Sequence, residues 1–246
     1  MVEFTLIGHV HPTAKSFTLT FPFGLELSDL GLTIEPVIQN GQVSVVCQAP
    51  AFDPGHLNLA LLAVRAKVGG IVGLYTVGTG DHYSLHIDSV VPPGATEKVL
   101  LDLSNPDLAA LCTAFNPHGN MTDIFELVLT DDLAMTIIND AAMAITQALY
   151  QPIACGRVLD GIRNHIAPGV EKREGWKQVH AALNLTPDYA RFVSDKATKP
   201  RHREAHSFGD REVGDCLRRT WTILDRFLHY LKRGKVPLSD PEFPPL

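Results

Sequence analysis

The sequence predicts an α+β protein, with a mainly antiparallel β-domain over residues 1–118 and an all-helical bundle over residues 119–246. Three observations carry that division. The first stretch of chain is built from short β-branched and aromatic runs bounded by Gly, Pro and Asn, the pattern of strands. The second repeats its apolar residues every three or four positions, the pattern of amphipathic helices. Charge also changes sign along the chain. Four basic face 15 acidic side chains before residue 151 (net −11), and 17 face 12 from there on (net +5).

Taken in order, Phe4-Thr5-Leu6-Ile7 and Ser16 to Phe21 read as strands, the latter stopped by Pro22. Leu32 to Ile38, then Asn40-Gly41, then Val43 to Cys47 predicts a β-hairpin, because Asn-Gly supplies the two positive φ angles a tight hairpin turn needs. Leu57 to Lys67 fits either period and is read as a helix. Ile71 to Val77 and Tyr83 to Val91 read as two strands joined by Gly78-Thr79-Gly80-Asp81, and Val99 to Asp102 closes the set.

A short helix is expected over Asn105 to Phe115 behind Ser104 as N-cap, with the domain boundary near Asn116 to Asn120. Thr130 or Asp131 opens a long helix carrying Leu133, Ile137, Ile138, Ala141, Ile145, Ala148 and Leu149. It continues with a kink past Pro152 through Val158 and Ile162 to Ala167-Pro168-Gly169. Trp176, Val179, His180 and Leu183 mark a helix ending near Asn184. Another runs from Asp188 to Lys196, capped by Thr186, with Pro187 in its first turn and Pro200 as its stop. Val213, Leu217, Trp221, Leu224, Leu228 and Leu231 make the last helix, Asp210 to Lys232. They leave Arg218, Arg219, Arg226 and Arg233 for its other faces and an extended tail beyond Gly234 and Pro237.

The start of the chain lacks the basic and apolar regions of a secretory leader, and Arg65, Lys67 and several glycines interrupt the longest apolar stretch, Leu57 to Val77. Cys47, Cys112, Cys155 and Cys216 are widely spaced within apolar segments and are expected as buried, reduced thiols. The expectation is a cytoplasmic protein with no membrane association and no cofactor.

Two groups of residues could carry chemistry. His9-x-His11 and His86-x-Asp88, on strands, would each place both side chains on one sheet face, with Asp81 and His82 nearby. Surface or hydrogen-bonded histidines account for them more simply than a metal centre, so a metal-dependent enzyme is the third reading, and no metal ligand is assigned. No glycine pattern between Gly69 and Gly80 matches a nucleotide-binding loop.

The second group is Lys199-Pro200-Arg201-His202-Arg203-Glu204-Ala205-His206, read as a loop entering the last helix. A guanidinium fork can clamp a phosphate, and an imidazole can move a proton near neutral pH. Metal-free RNA cleavage needs both. Arg201-x4-His206, with the polar His202 after the arginine, resembles the R-x4–6-H motif of the HEPN superfamily. Arg173-x6-His180 has an allowed spacing as well, but a solvated helix face explains it.

The resemblance covers roughly residues 130–235 and implies a small helical bundle, often a metal-independent ribonuclease that acts as a dimer. By it, Arg201 would clamp phosphate and His206 serve as general acid or base, with His202 an auxiliary group. Lys199 and Arg203 would bind substrate, and RNA would be the partner of the basic C-terminal half. The alternative is a non-catalytic RNA-, nucleotide- or protein-binding module that self-associates through its helical domain.

Overall fold

The computed structural model describes residues 1–13, 17–19, 24–28, 31–101, 106–115, 122–147, 150–201 and 211–246. The fold is α+β. The chain divides into two compact units, Met1–Ser104 and Asn105–Leu246.

Unit one is a sheet with one long helix. Its strands are β1 (Val2–His11), β2 (Leu25–Leu27), β3 (Leu32–Gln39), β4 (Gln42–Ala49), β5 (Ser84–Val91) and β6 (Val99–Leu100), with helix α1 (Pro54–Thr79) between β4 and β5. The order is β2-β3-β4-β1-β5-β6, every neighbouring pair antiparallel. The expected hairpin is present. Asn40 (φ 50°) and Gly41 (φ 78°) form its two-residue loop between the paired Gln39 and Gln42. Alternation then sorts the side chains. Phe4, Leu6, Val10, Ile34, Ile38, Val43, Val45 and Cys47 enter the core with Ala60, Val64, Val68 and Val72 of α1. Glu3, Thr5, His9 and His11 of β1 point to the opposite face, where Glu35 and Val37 of β3 are exposed. Of the expected strand from Ser16 to Phe21, Leu19 makes a single bridge to Ile38; Ser16, Thr20 and Phe21 lie outside the described residues.

The strand expected over Ile71 to Val77 is instead the last third of α1. Asp53 caps that helix by accepting from the His56 amide (3.0 Å), and Pro54 opens it. Ala60, Ala63, Val64, Val68 and Val72 then pack against the sheet, and the helix continues beyond Val72 with Leu74, Tyr75 and Val77 exposed. By length and composition α1 is also apolar enough to cross a membrane, although one of its faces lines the sheet core.

Unit two contains α2 (Pro106–Leu111), α3 (Thr122–Leu129), α4 (Asp132–Thr146), α5 (Gln151–Ile166), α6 (Lys172–Leu183), α7 (Pro187–Arg201) and α8 (Arg211–Lys232). Leu108 and Ala114, which precede the expected boundary at residue 118, pack into this unit's core. The helix expected through Phe115 ends at Leu111, and Ser104 lies outside the described residues. Nothing in the sequence pattern had marked α3.

The long kinked helix is two helices, because Pro152 falls in the first turn of a new one instead of bending the old. Ala148 and Leu149, expected on its stripe, lie outside the described residues. Contacts Asp131–His165, Ile137–Gly161 and Asp140–Arg157 run in opposite directions along α4 and α5, which are therefore antiparallel. Helix α6 ends at Asn184 in the left-handed conformation, as expected. Pro200 does not stop α7, which runs to Arg201; a proline one residue from the end forfeits little of the ladder. On α8, Phe227, Leu228, Ile223 and Cys216 are fully buried in the core.

The tail is not extended. It folds back, so that Leu238 and Phe243 join the core and Leu246 exchanges backbone bonds with Asn184 and Thr186. Arg226, expected on an outer face, is 5% exposed and holds this return. Its guanidinium donates to the carbonyls of Leu183 (2.9 Å), Asn184 (2.7 Å) and Pro244. It closes the last turn of α6 and fastens the tail to α8 in one step.

Candidate functional site

The structure places Lys199 within the last turn of α7 and Arg201 as its final residue. The side chains of both lie outside the described residues, as do His202, Arg203 and His206 entirely. Lys199 and Arg201 thus belong to a helix C-terminus, where exposed carbonyls favour cations and disfavour a phosphate. Helix α8 begins only at Arg211. Two described cations nearby are committed to packing. Lys196 pairs with Glu212, and Arg219 lies over the rings of Tyr189 (4.8 Å) and Phe192 (4.3 Å), pinning α7 to α8.

Charge follows the same logic. Cut at Ser104, unit one carries four basic and nine acidic side chains (net −5), and unit two 17 and 18 (net −1). The asymmetry seen along the chain lies within the helical unit. Residues 105–150 hold six acidic and no basic side chains, while the remainder is basic. Arg157, Arg163, Lys177, Arg191, Arg218 and Arg233 each pair with a carboxylate of the same unit.

Two polar clusters in unit two escaped the sequence reading. Asp225, buried on α8, accepts from the amides of Thr113 (2.6 Å) and Ala114 (2.7 Å) and from the Thr113 hydroxyl (2.8 Å). Having given its one proton to the carboxylate, that hydroxyl can only accept from His229 Nε2 (2.9 Å). The order is therefore His–Thr–Asp, which anchors the segment after α2 to α8 but does not activate a nucleophile.

In the second cluster, Asp131 caps α4 through the Ala134 amide (3.0 Å) and holds His165 Nε2 at 2.6 Å. Burial opposes ionisation of Asp131. The Ala134 amide, His165 and more distant Lys235 outweigh it and keep the carboxyl below its ordinary value. His165 is buried edge-on against Phe227, with Nδ1 lacking any partner. No sequence motif links positions 131 and 165; only the antiparallel packing of α4 and α5 does.

Among the described residues, the densest group of chemistry-bearing side chains is in unit one. Strands β1 and β5 pair with His9 opposite His86 and His11 opposite Ser84. A bulge lies between Ile7 and Gly8. The strands approach so closely there that a Cβ on Gly8 would sit 1.9 Å from the His86 carbonyl oxygen. The rings of His9 and His86 stack at 5.5 Å, and His11 meets them edge-on at 4.6 and 4.7 Å. His9 Nδ1 lies 3.2 Å from Asp88 Oδ2, its Nε2 lies 2.9 Å from His11 Nε2, and His86 Nε2 lies 3.2 Å from Ser84 Oγ. Burial lowers the His86 pKa, His11, His9 and Arg65 of α1 lower it further, and Asp88 opposes them. Among the described residues, no group of three or more side chains is arranged to hold a metal ion. The sequence showed the two short motifs; the register between β1 and β5, which joins them, is a non-local property.

No curated protein and no solved structure matches this chain. Residues 121–232, from the approach to α3 to the last residue of α8, match the model of the C-terminal domain of a family described as a domain of unknown function, DUF8168.

Proposed function

We propose that the helical unit is a non-catalytic binding module that self-associates, with a second copy of this chain as its partner. One observation carries this reading: the unit as a whole is nearly neutral, and among the described residues seven of its 17 cations pair with its own carboxylates, which weakens its attraction for a polyanion such as RNA. Helix α3 leaves Phe125 and Leu129 exposed one turn apart (53% and 69%), and α4 leaves Met143 and Ile145 exposed. These helices lie in the acidic part of the unit and the basic part follows, a complementarity that suits a second copy. The free cysteines are in keeping with a reducing, cytoplasmic setting.

A second reading is supported by the position of Arg201. It closes α7 directly before the connection to α8, the last and longest helix of the unit, where a HEPN-type ribonuclease would carry its motif. In this reading Arg201 and His206 act on RNA, with His202, Lys199 and Arg203 assisting.

Incubation of the protein with mixed RNA in EDTA, beside an Arg201→Ala, His206→Ala variant, separates the two. The binding-module reading expects no difference between wild type and variant. EDTA-resistant cleavage that disappears in the variant would replace it with the ribonuclease.

A further inference from the structure

We propose that His9 and His11 form a two-imidazole chelate for a divalent transition-metal ion of tetragonal preference, nickel(II) or copper(II), on the open face of the sheet. Three observations support it. The two Nε2 atoms lie 2.9 Å apart, the separation of two nitrogens each about 2.05 Å from one ion at an angle of about 90°. A tetrahedral zinc angle would place them about 3.3 Å apart, so the spacing suits cis positions of a square or octahedral shell.

The second observation is the carboxylate behind the first ligand. Asp88 Oδ2 lies 3.2 Å from His9 Nδ1. In the neutral imidazole, a proton held there leaves Nε2 as a bare lone pair and fixes the orientation of the ring. Metal-ligating histidines are commonly oriented in this way.

The third is the backbone device that brings the parts together. Asp88 is the β5 residue passed over where the register shifts from Ile7–Ser89 to Gly8–Ile87, and Gly8 leaves room for the His86 carbonyl beside it. The ring of His86 closes one side of the pair, with its Nε2 turned to Ser84. No third described side chain completes a protein cage, so water fills the remaining positions. The site is open to an exchangeable ligand.

A hydrogen bond shared between His9 and His11 is the competing account of the same distance, and nickel separates the two. Calorimetric titration of the full-length protein with nickel chloride, then zinc chloride, is expected to show one nickel site that binds at least as tightly as zinc. His11→Gln removes one nitrogen at an exposed position and is expected to abolish this binding while leaving the circular dichroism unchanged. Asp88→Asn is expected to weaken it about tenfold. Absence of nickel binding in the wild type, or binding that survives in His11→Gln, overturns the proposal. Zinc bound more tightly than nickel overturns the tetragonal assignment.

Discussion

Replacing Gly8 by alanine tests how the sheet is held at its bulge. The added Cβ would meet the His86 carbonyl oxygen at 1.9 Å, the His86 carbonyl carbon at 2.9 Å and Ile87 Cα at 2.9 Å. All three are backbone atoms of the paired strand, so no side-chain rotation relieves the contact. A carbon–oxygen contact relaxes only beyond about 3 Å, so β1 and β5 must separate by roughly 1 Å across their ladder. Overpacking of this kind costs about 1–3 kcal/mol, and a clash with backbone belongs at the upper end. Alanine returns about 0.5–1 kcal/mol by restricting the unfolded chain.

The net expectation is a loss of about 2 kcal/mol, or roughly 8–16 °C in the melting transition of a unit this size. Differential scanning calorimetry of the full chain reads it directly. A Gly8→Ala protein that melts with the wild type would refute the close approach of the strands, and with it the placement of His9 and His11 beside Asp88.

Three further outcomes follow from single residues. Arg226→Lys is expected to lose about 2–4 kcal/mol in denaturant unfolding, because an ammonium cannot reach three buried carbonyls on α6 and the tail at once; full stability would show that the tail does not depend on this clamp. Asp225→Ala is expected to cost a similar amount and to expose the segment at Thr113 and Ala114 to proteolysis, since three donors lose their acceptor. For Asp131, the folded carboxyl titrates below its ordinary value, so its contribution is present above that value. It is lost as pH falls and the unfolded chain takes up the proton first. Urea unfolding between about pH 5 and pH 3 is therefore expected to show a steeper loss in wild type than in Asp131→Asn, and equal slopes would remove Asp131 from the acid limb.

What could be read from sequence follows the range of the interaction responsible. Asn40-Gly41 specifies a turn from two adjacent residues, Asp131 caps α4 from three residues away, and the α8 stripe repeats within a turn. All three were legible. Helix α1 was legible only from Leu57 to Lys67, because its glycines and β-branched residues at 69–77 carry a local strand signal, yet the helix runs on to Thr79. Pro152 and Pro200 were read as a kink and a stop, yet each is tolerated close to a helix end. Arg226 looked like a solvated cation because nothing local reveals that the tail returns to it. The histidines at 9, 11 and 86 were visible as fragments, but their meeting depends on a register set by β1 and β5 across more than 70 residues of chain. Of the residues expected to act on RNA, Lys199 and Arg201 fall at the end of α7, and the structure describes no more of that group.

Self-association of the helical unit is the claim on which the functional account rests, and sedimentation equilibrium of the full-length protein tests it most directly. The account predicts a mass that rises with concentration from 26.9 kDa towards twice that value. It also predicts that added salt weakens the association and that Phe125→Ser, Leu129→Ser abolishes it without loss of helix content. A monomer mass at every concentration, or a dimer indifferent to that double substitution, would contradict it.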